Sequence, residues 1–104
     1  MPLQENARLI DTKSYSGSYN DVYTAALGAV AADGRVRSSS KDTGEIVGGD
    51  GAGYWSKTLV VRSGNSRIKV SHYMDSAYVC CNKKTQQERT AQLFNFIQDS
   101  LPEV

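Results

Sequence analysis

The sequence predicts an α+β domain, with two helices packed on one face of a mostly antiparallel sheet in the order β-α-β-β-β-β-α. Three stretches carry that expectation. SYNDVYTAALGAVAAD, Ser18 to Asp33, has a polar start, one apolar face and a glycine directly after it. WSKTLVVR and RIKVSHYM, Trp55 to Arg62 and Arg67 to Met74, flank a short polar turn, Ser63-Gly64-Asn65-Ser66. TQQE, Thr85 to Glu88, precedes a second apolar stripe that stops at Pro102. A helix stripe and a sheet face each need a partner surface, and layering one on the other buries both.

Taken in order, residues 1–7 are polar and without a period, so they read as a loose leader, and 8–104 read as a single domain. Arg8 to Tyr15, RLIDTKSY, mixes apolar residues with β-formers and is expected to be a strand. Gly17 breaks it. Ser18 is then placed to cap the first helix, with Asp21 as an acidic partner three residues later. Tyr19, Val22, Tyr23, Ala26, Leu27 and Val30 recur at spacings of three and four and share a face. The alanines between them favour helix, while Gly28 costs about 1 kcal/mol relative to Ala and implies tight packing. Gly34 is expected to end the helix in the left-handed conformation.

Arg35 to Lys41 alternates, with Val36, Ser38 and Ser40 expected on one side and Arg35, Arg37, Ser39 and Lys41 on the other. Asp42-Thr43-Gly44 is a turn into Glu45-Ile46-Val47, completing a hairpin. GGDGAG, Gly48 to Gly53, reads as a loop, because four glycines in six residues make a poor strand or helix interior. In Arg67 to Met74, Ile68, Val70, His72 and Met74 share one face. Ala77 to Cys81 is expected to be a short strand or connector and Asn82 to Lys84 a loop. Thr85 then caps the last helix in a T-x-x-E box, and Thr90, Leu93, Phe94, Ile97 and Leu101 form its stripe.

Composition narrows the function classes. A chain of 104 residues is one domain and buries roughly two-thirds of its unfolded surface, enough for a core without metals or disulfides. Twelve basic and eleven acidic residues give a formal charge of +1, far from the strong basic excess of a dedicated nucleic-acid binder. No apolar run reaches the roughly 18 residues of a transmembrane helix. The start, MPLQENARLI, lacks a basic segment leading into an apolar one, so it is not a secretory signal.

The residues Y-S-G-S-Y-N-D-V-Y-T-A-A-L and A-D-G-R-V-R-S-S-S-K-D-T-G-E-I, within Tyr15 to Ile46, resemble small bacterial envelope lipoproteins of unknown function. The layout is similar to the helix-grip domains of the outer-membrane lipoprotein BamC. The resemblance rests on caps, core positions and turns, so it transfers no functional residue. It implies a domain on the periplasmic side of a bacterial membrane, its targeting segment removed, and a protein partner in the cell envelope. Membrane attachment would come only through a lipid anchor that this chain does not carry. Without such a targeting segment the expected compartment is the cytoplasm.

Candidate chemistry is sparse. His72 is the one histidine and falls on an apolar strand face, so a structural role is expected rather than acid–base catalysis. Cys80 and Cys81 are adjacent; strand geometry turns them to opposite faces, and bridged α-carbons usually lie farther apart than neighbours. They read as free thiols, with an intermolecular disulfide or redox role as the sharper alternative. The glycine loop runs toward a strand, whereas a phosphate cradle opens a helix, and Asp50 has no series of oxygen ligands around it. No cofactor or metal is expected.

Two surfaces remain. Tyr54 and Trp55, beside the glycine loop, form a candidate interaction patch. Arg35, Arg37, Lys41, Arg67 and Lys69 are expected on the sheet face opposite the helices, near Tyr73, making that face basic. Edge strands also make a homo-oligomer conceivable. The reading that follows is a non-catalytic binding or scaffold domain. Its alternatives are a small nucleic-acid-binding domain using the basic face, or a small ligand-binding or enzymatic domain with a pocket between sheet and first helix.

Overall fold

The computed structural model describes residues 7–49, 55–64, 66–75 and 83–102. The elements are β1 (Ala7–Ser16), α1 (Tyr19–Asp33), β2 (Arg35–Ser40), β3 (Glu45–Gly49), β4 (Trp55–Arg62), β5 (Arg67–Asp75) and α2 (Lys83–Ser100). The architecture is the α+β arrangement expected: a five-stranded antiparallel sheet, order β1-β5-β4-β3-β2, with two helices on one face. Strands β2 to β5 form a meander. β1 returns to pair with β5, so α1 links the two edges of the sheet and crosses it, touching β2, β3, β4 and β5. α2 lies beside α1 and over β1.

The alternation of the hairpin fixes which face is buried. Ser56, Thr58 and Val60 on β4 and Ile68, Val70, His72 and Met74 on β5 all turn toward the helices and are buried. Against them α1 lays Val22, Tyr23, Ala26 and Val30, and α2 lays Leu93, Phe94 and Ile97. Tyr15 of β1 joins this core and donates its hydroxyl to the Phe94 carbonyl at 3.0 Å. Burial pushes the Tyr15 phenol well above the ordinary tyrosine value.

Ser18 caps α1 as expected, its Oγ accepting from the Asp21 amide at 3.0 Å. The helix end differs. Gly34 is extended at φ −179° and ψ −112°, not left-handed, and its N–H donates to the Val30 carbonyl at 3.1 Å. Thr85 is likewise not a cap. α2 begins at Lys83, and Thr85 lies inside its first turn. One tertiary and one local contact hold this turn: buried Gln86 accepts from the Arg8 guanidinium of β1, and within the helix the Gln86 carbonyl accepts from Thr90 Oγ1 at 2.8 Å.

The glycine run needs a correction too. Gly48 and Gly49 are the last residues of β3, not loop. A Cβ on Gly48 would lie 2.5 Å from Val30 Cγ1, so this glycine lets α1 approach the sheet. Gly44 ends the β2–β3 turn at φ +79°, and its carbonyl accepts from the Val60 amide at 2.8 Å. A side chain there would collide with the Val60 carbonyl.

β2 does not keep its simple alternation. The register slips between Val36 and Ser38, so Val36 opposite Gly48 faces the helices while Ser38 opposite Val47 faces away. One extra residue reverses the phase. A second slip between Leu9 and Asp11 does the same in β1, leaving Leu9 on the open face and Ile10 against Met74. Of the leader expected over residues 1–7, Ala7 belongs to β1 instead; residues 1–6, Asp50, Tyr54 and the region of Cys80 and Cys81 lie outside the described residues, as does the short strand expected over Ala77 to Cys81.

Candidate interaction face

No described helix covers the second face of the sheet. Ladder partners show what lies on it. Trp55 of β4 is beside Gly49 of β3, which is beside Arg35 of β2. In the next row Lys57 lies between Val47 and Tyr73, and Tyr73 is beside Leu9. Leu59 follows, between Glu45 and Ser71, then Val61 beside Lys69, and at the far end Arg67 beside Ser16. Thr12 and Ser71 meet at 3.1 Å between their hydroxyl oxygens.

Arg37 sits in the β2 bulge and reaches across β3. Its guanidinium carbon is 4.7 Å from the Trp55 ring centroid. Gly49 has no side chain to obstruct that reach, which is a second reason for a glycine in the strand. One row on, Lys57 Nζ is 5.1 Å from the Tyr73 centroid. Each contact stabilises by about 0.5–1 kcal/mol at an exposed site and holds a flexible cation in place. The two pairs lie side by side because Trp55 and Lys57 are two residues apart on one strand and Tyr73 is Lys57's ladder partner.

Leu9 is 49% exposed and Val61 39% exposed, so two large apolar side chains flank the cations. Among the described side chains, Glu45 is the carboxylate at the ladder positions of this face. The result is a mixed surface: aromatic and aliphatic patches with positively charged groups above them.

The site residues read from the sequence divide accordingly. Trp55, Arg35, Arg37 and Lys69 share the open face. Tyr54, Cys80 and Cys81 lie outside the described residues. Lys41 is not on this face; it sits in the β2–β3 turn and donates to Asn20 Oδ1 of α1. Lys57 went unrecognised, although the i, i+2 series Trp55, Lys57, Leu59, Val61 carries it to the same face as Trp55.

His72 has the structural position expected of it. It is 1% exposed, and its Nδ1 is 2.8 Å from Thr58 Oγ1. Burial lowers its pKa to about 4; nearby Asp33 opposes the shift and Arg89 adds to it. The Asp33 carboxylate is itself held by Arg89, whose Nε donates to Oδ1 at 3.2 Å. A neutral, enclosed imidazole is poorly placed to exchange protons with a substrate. Among the described residues, no three histidine, cysteine or acidic side chains gather as a metal site. Val22, Ala26, Val30, Ile46 and Val60 fill the space between α1 and the sheet, where a ligand pocket was one alternative.

Among the described residues, no helix is long and apolar enough to cross a membrane. The chain matches no protein-family model, no curated protein and no solved structure.

Proposed function

We propose that this chain is a non-catalytic binding or scaffold domain and that the uncovered sheet face is its working surface. One observation supports this above the rest: Arg37 on Trp55 and Lys57 on Tyr73 stand side by side on a face no described helix covers. A sheet face with no task needs only solvated polar side chains. This one keeps Trp55, Tyr73, Leu9, Val47, Leu59 and Val61 among its cations. Such apolar anchors beside fixed cations are what a recognition surface requires.

The proposal extends to place and partner on the strength of the Tyr15–Ile46 resemblance: a domain of a bacterial envelope lipoprotein, engaging a protein of the cell envelope. The second reading is a nucleic-acid surface. The observation behind it is the presence of Trp55 and Tyr73 among basic side chains, since single strands are held by basic grooves with aromatic rings.

Site-specific photocrosslinking in cells tests the reading. A benzoylphenylalanine at Tyr73 on the open face is compared with one at Asn95, exposed on α2. The expected result is a discrete protein adduct from position 73 and none from position 95. Adducts from position 95 alone, or from neither, would overturn it.

A further inference from the structure

Resting on the reading of the sheet face as the working surface, we infer that its partner is an acidic polypeptide segment. At every second residue that segment carries by turns a carboxylate and an apolar side chain, so that both kinds fall on one face, and it lies across Arg37, Lys57 and Tyr73. Charge is the first ground. Arg35, Arg37, Lys57, Arg67 and Lys69 share the face, against Glu45 among the described side chains. The whole chain has a formal charge of only +1, yet five of its twelve basic residues stand together on this face. An acidic partner is thereby steered to this face rather than to the molecule at large.

The state of the rings separates an acidic polypeptide from a nucleic acid. Stacking platforms for bases offer bare ring faces. Here Trp55 has the Arg37 guanidinium at 4.7 Å and Tyr73 has the Lys57 ammonium at 5.1 Å. A base stacking on the ring face that the cation holds would have to displace it. A carboxylate needs no displacement; it meets a cation whose freedom the ring has already reduced. Leu9 and Val61, exposed at 49% and 39%, give apolar contact that a phosphate backbone does not use and apolar side chains do. Along an extended peptide, side chains on one face recur every second residue, the same repeat that spaces Trp55, Lys57, Leu59 and Val61.

Titration of the full chain tests this, read by the emission of Trp55, the one tryptophan, and by amide shifts of Lys57 and Tyr73. Three probes are used: a peptide with glutamate and leucine taking turns at every second residue and serine between them, the same peptide with glutamine for glutamate, and oligo(dT). The expected result is saturable binding of the glutamate peptide, about tenfold tighter than the glutamine peptide and tighter than oligo(dT). R37Q/K57Q is expected to remove that preference while the chain stays folded. Tighter binding of oligo(dT) would make the face a nucleic-acid surface and overturn the inference. Equal binding of the two peptides, or no saturable change with any probe, would overturn it as well. An adduct from Tyr73 in cells with no glutamate preference in this titration leaves the working face standing and removes only its acidic partner.

Discussion

The guanidinium carbon of Arg37 lies 4.7 Å from the Trp55 ring centroid, although β3 runs between the strands that carry them. Two local features make the contact. Arg37 stands on the open face within the β2 bulge, and Gly49 leaves the intervening strand without a side chain there. Replacing Arg37 with alanine is expected to increase acrylamide quenching of Trp55 and to destabilise the fold by about 0.5–1 kcal/mol. Unchanged quenching would show that the cation does not cover the ring in solution.

Gly48 and Gly28 make opposite demands. Gly48→Ala places a methyl 2.5 Å from Val30 Cγ1 and 3.2 Å from the Arg35 carbonyl. A cost of about 1–3 kcal/mol is expected, partly relieved by Val30→Ala. Gly28→Ala meets only the Phe96 ring, at 3.3 Å, and that side chain is 39% exposed and able to move. Removing a helical glycine is worth about 1 kcal/mol, so G28A is expected to be neutral or stabilising. Chemical denaturation of G48A, G48A/V30A and G28A measures all three.

His72 sets the acid limit of stability. Its folded pKa is lowered from 6.5 to about 4, chiefly by burial. Between those values the unfolded chain binds a proton that the folded chain does not. Stability therefore falls as pH drops from about 6.5 to about 4, by on the order of 3 kcal/mol in all. Unfolding free energies across that range check the slope. His72→Gln is expected to flatten it, whatever it does to stability at neutral pH.

Tyr15→Phe removes the hydroxyl that donates to the Phe94 carbonyl at 3.0 Å and leaves the ring in place. A loss of about 1 kcal/mol is expected from denaturation midpoints, the worth of one buried hydrogen bond. Spectrophotometric titration of the wild-type chain is expected to show one tyrosine ionising only at unfolding, and Y15F is expected to lack it.

The architecture was legible because it follows from repeats of two and three to four residues. Val22, Val30 and Ile97 are core, as their spacing requires. Ser18 was readable as a cap because its hydroxyl needs only the Asp21 amide three residues on. Thr85 carried the same signal and misled: α2 begins two residues before it, with Gln86 of its first turn bound to distant Arg8. No local pattern contains that partner. Gly48 and Gly49 looked like loop because their strand role depends on Val30 from a helix and Arg37 from a bulge.

The candidate face was legible in part. Arg35, Arg37 and Lys69 could be placed on one side by alternation, whereas the β2 slip, invisible in the sequence, turns Ser38 to that side and Ser39 toward the helices. The interleaving of cations with rings was not legible, because it needs Trp55 and Tyr73 to be on adjacent strands in one particular register. Lys41 was misplaced since it lies past the end of β2, where strand alternation no longer applies.

Oxidative footprinting tests the central claim most directly, because the two faces of the molecule each offer exposed side chains to a hydroxyl radical. Trp55, Tyr73 and Leu9 report on the sheet face, and Phe96, 39% exposed, reports on the helix face. Oxidation rates are measured in the purified chain and in intact cells that produce it. The account expects the sheet-face residues to be protected in cells while Phe96 is oxidised at its purified rate. Protection of Phe96 with Trp55, Tyr73 and Leu9 unprotected would contradict it.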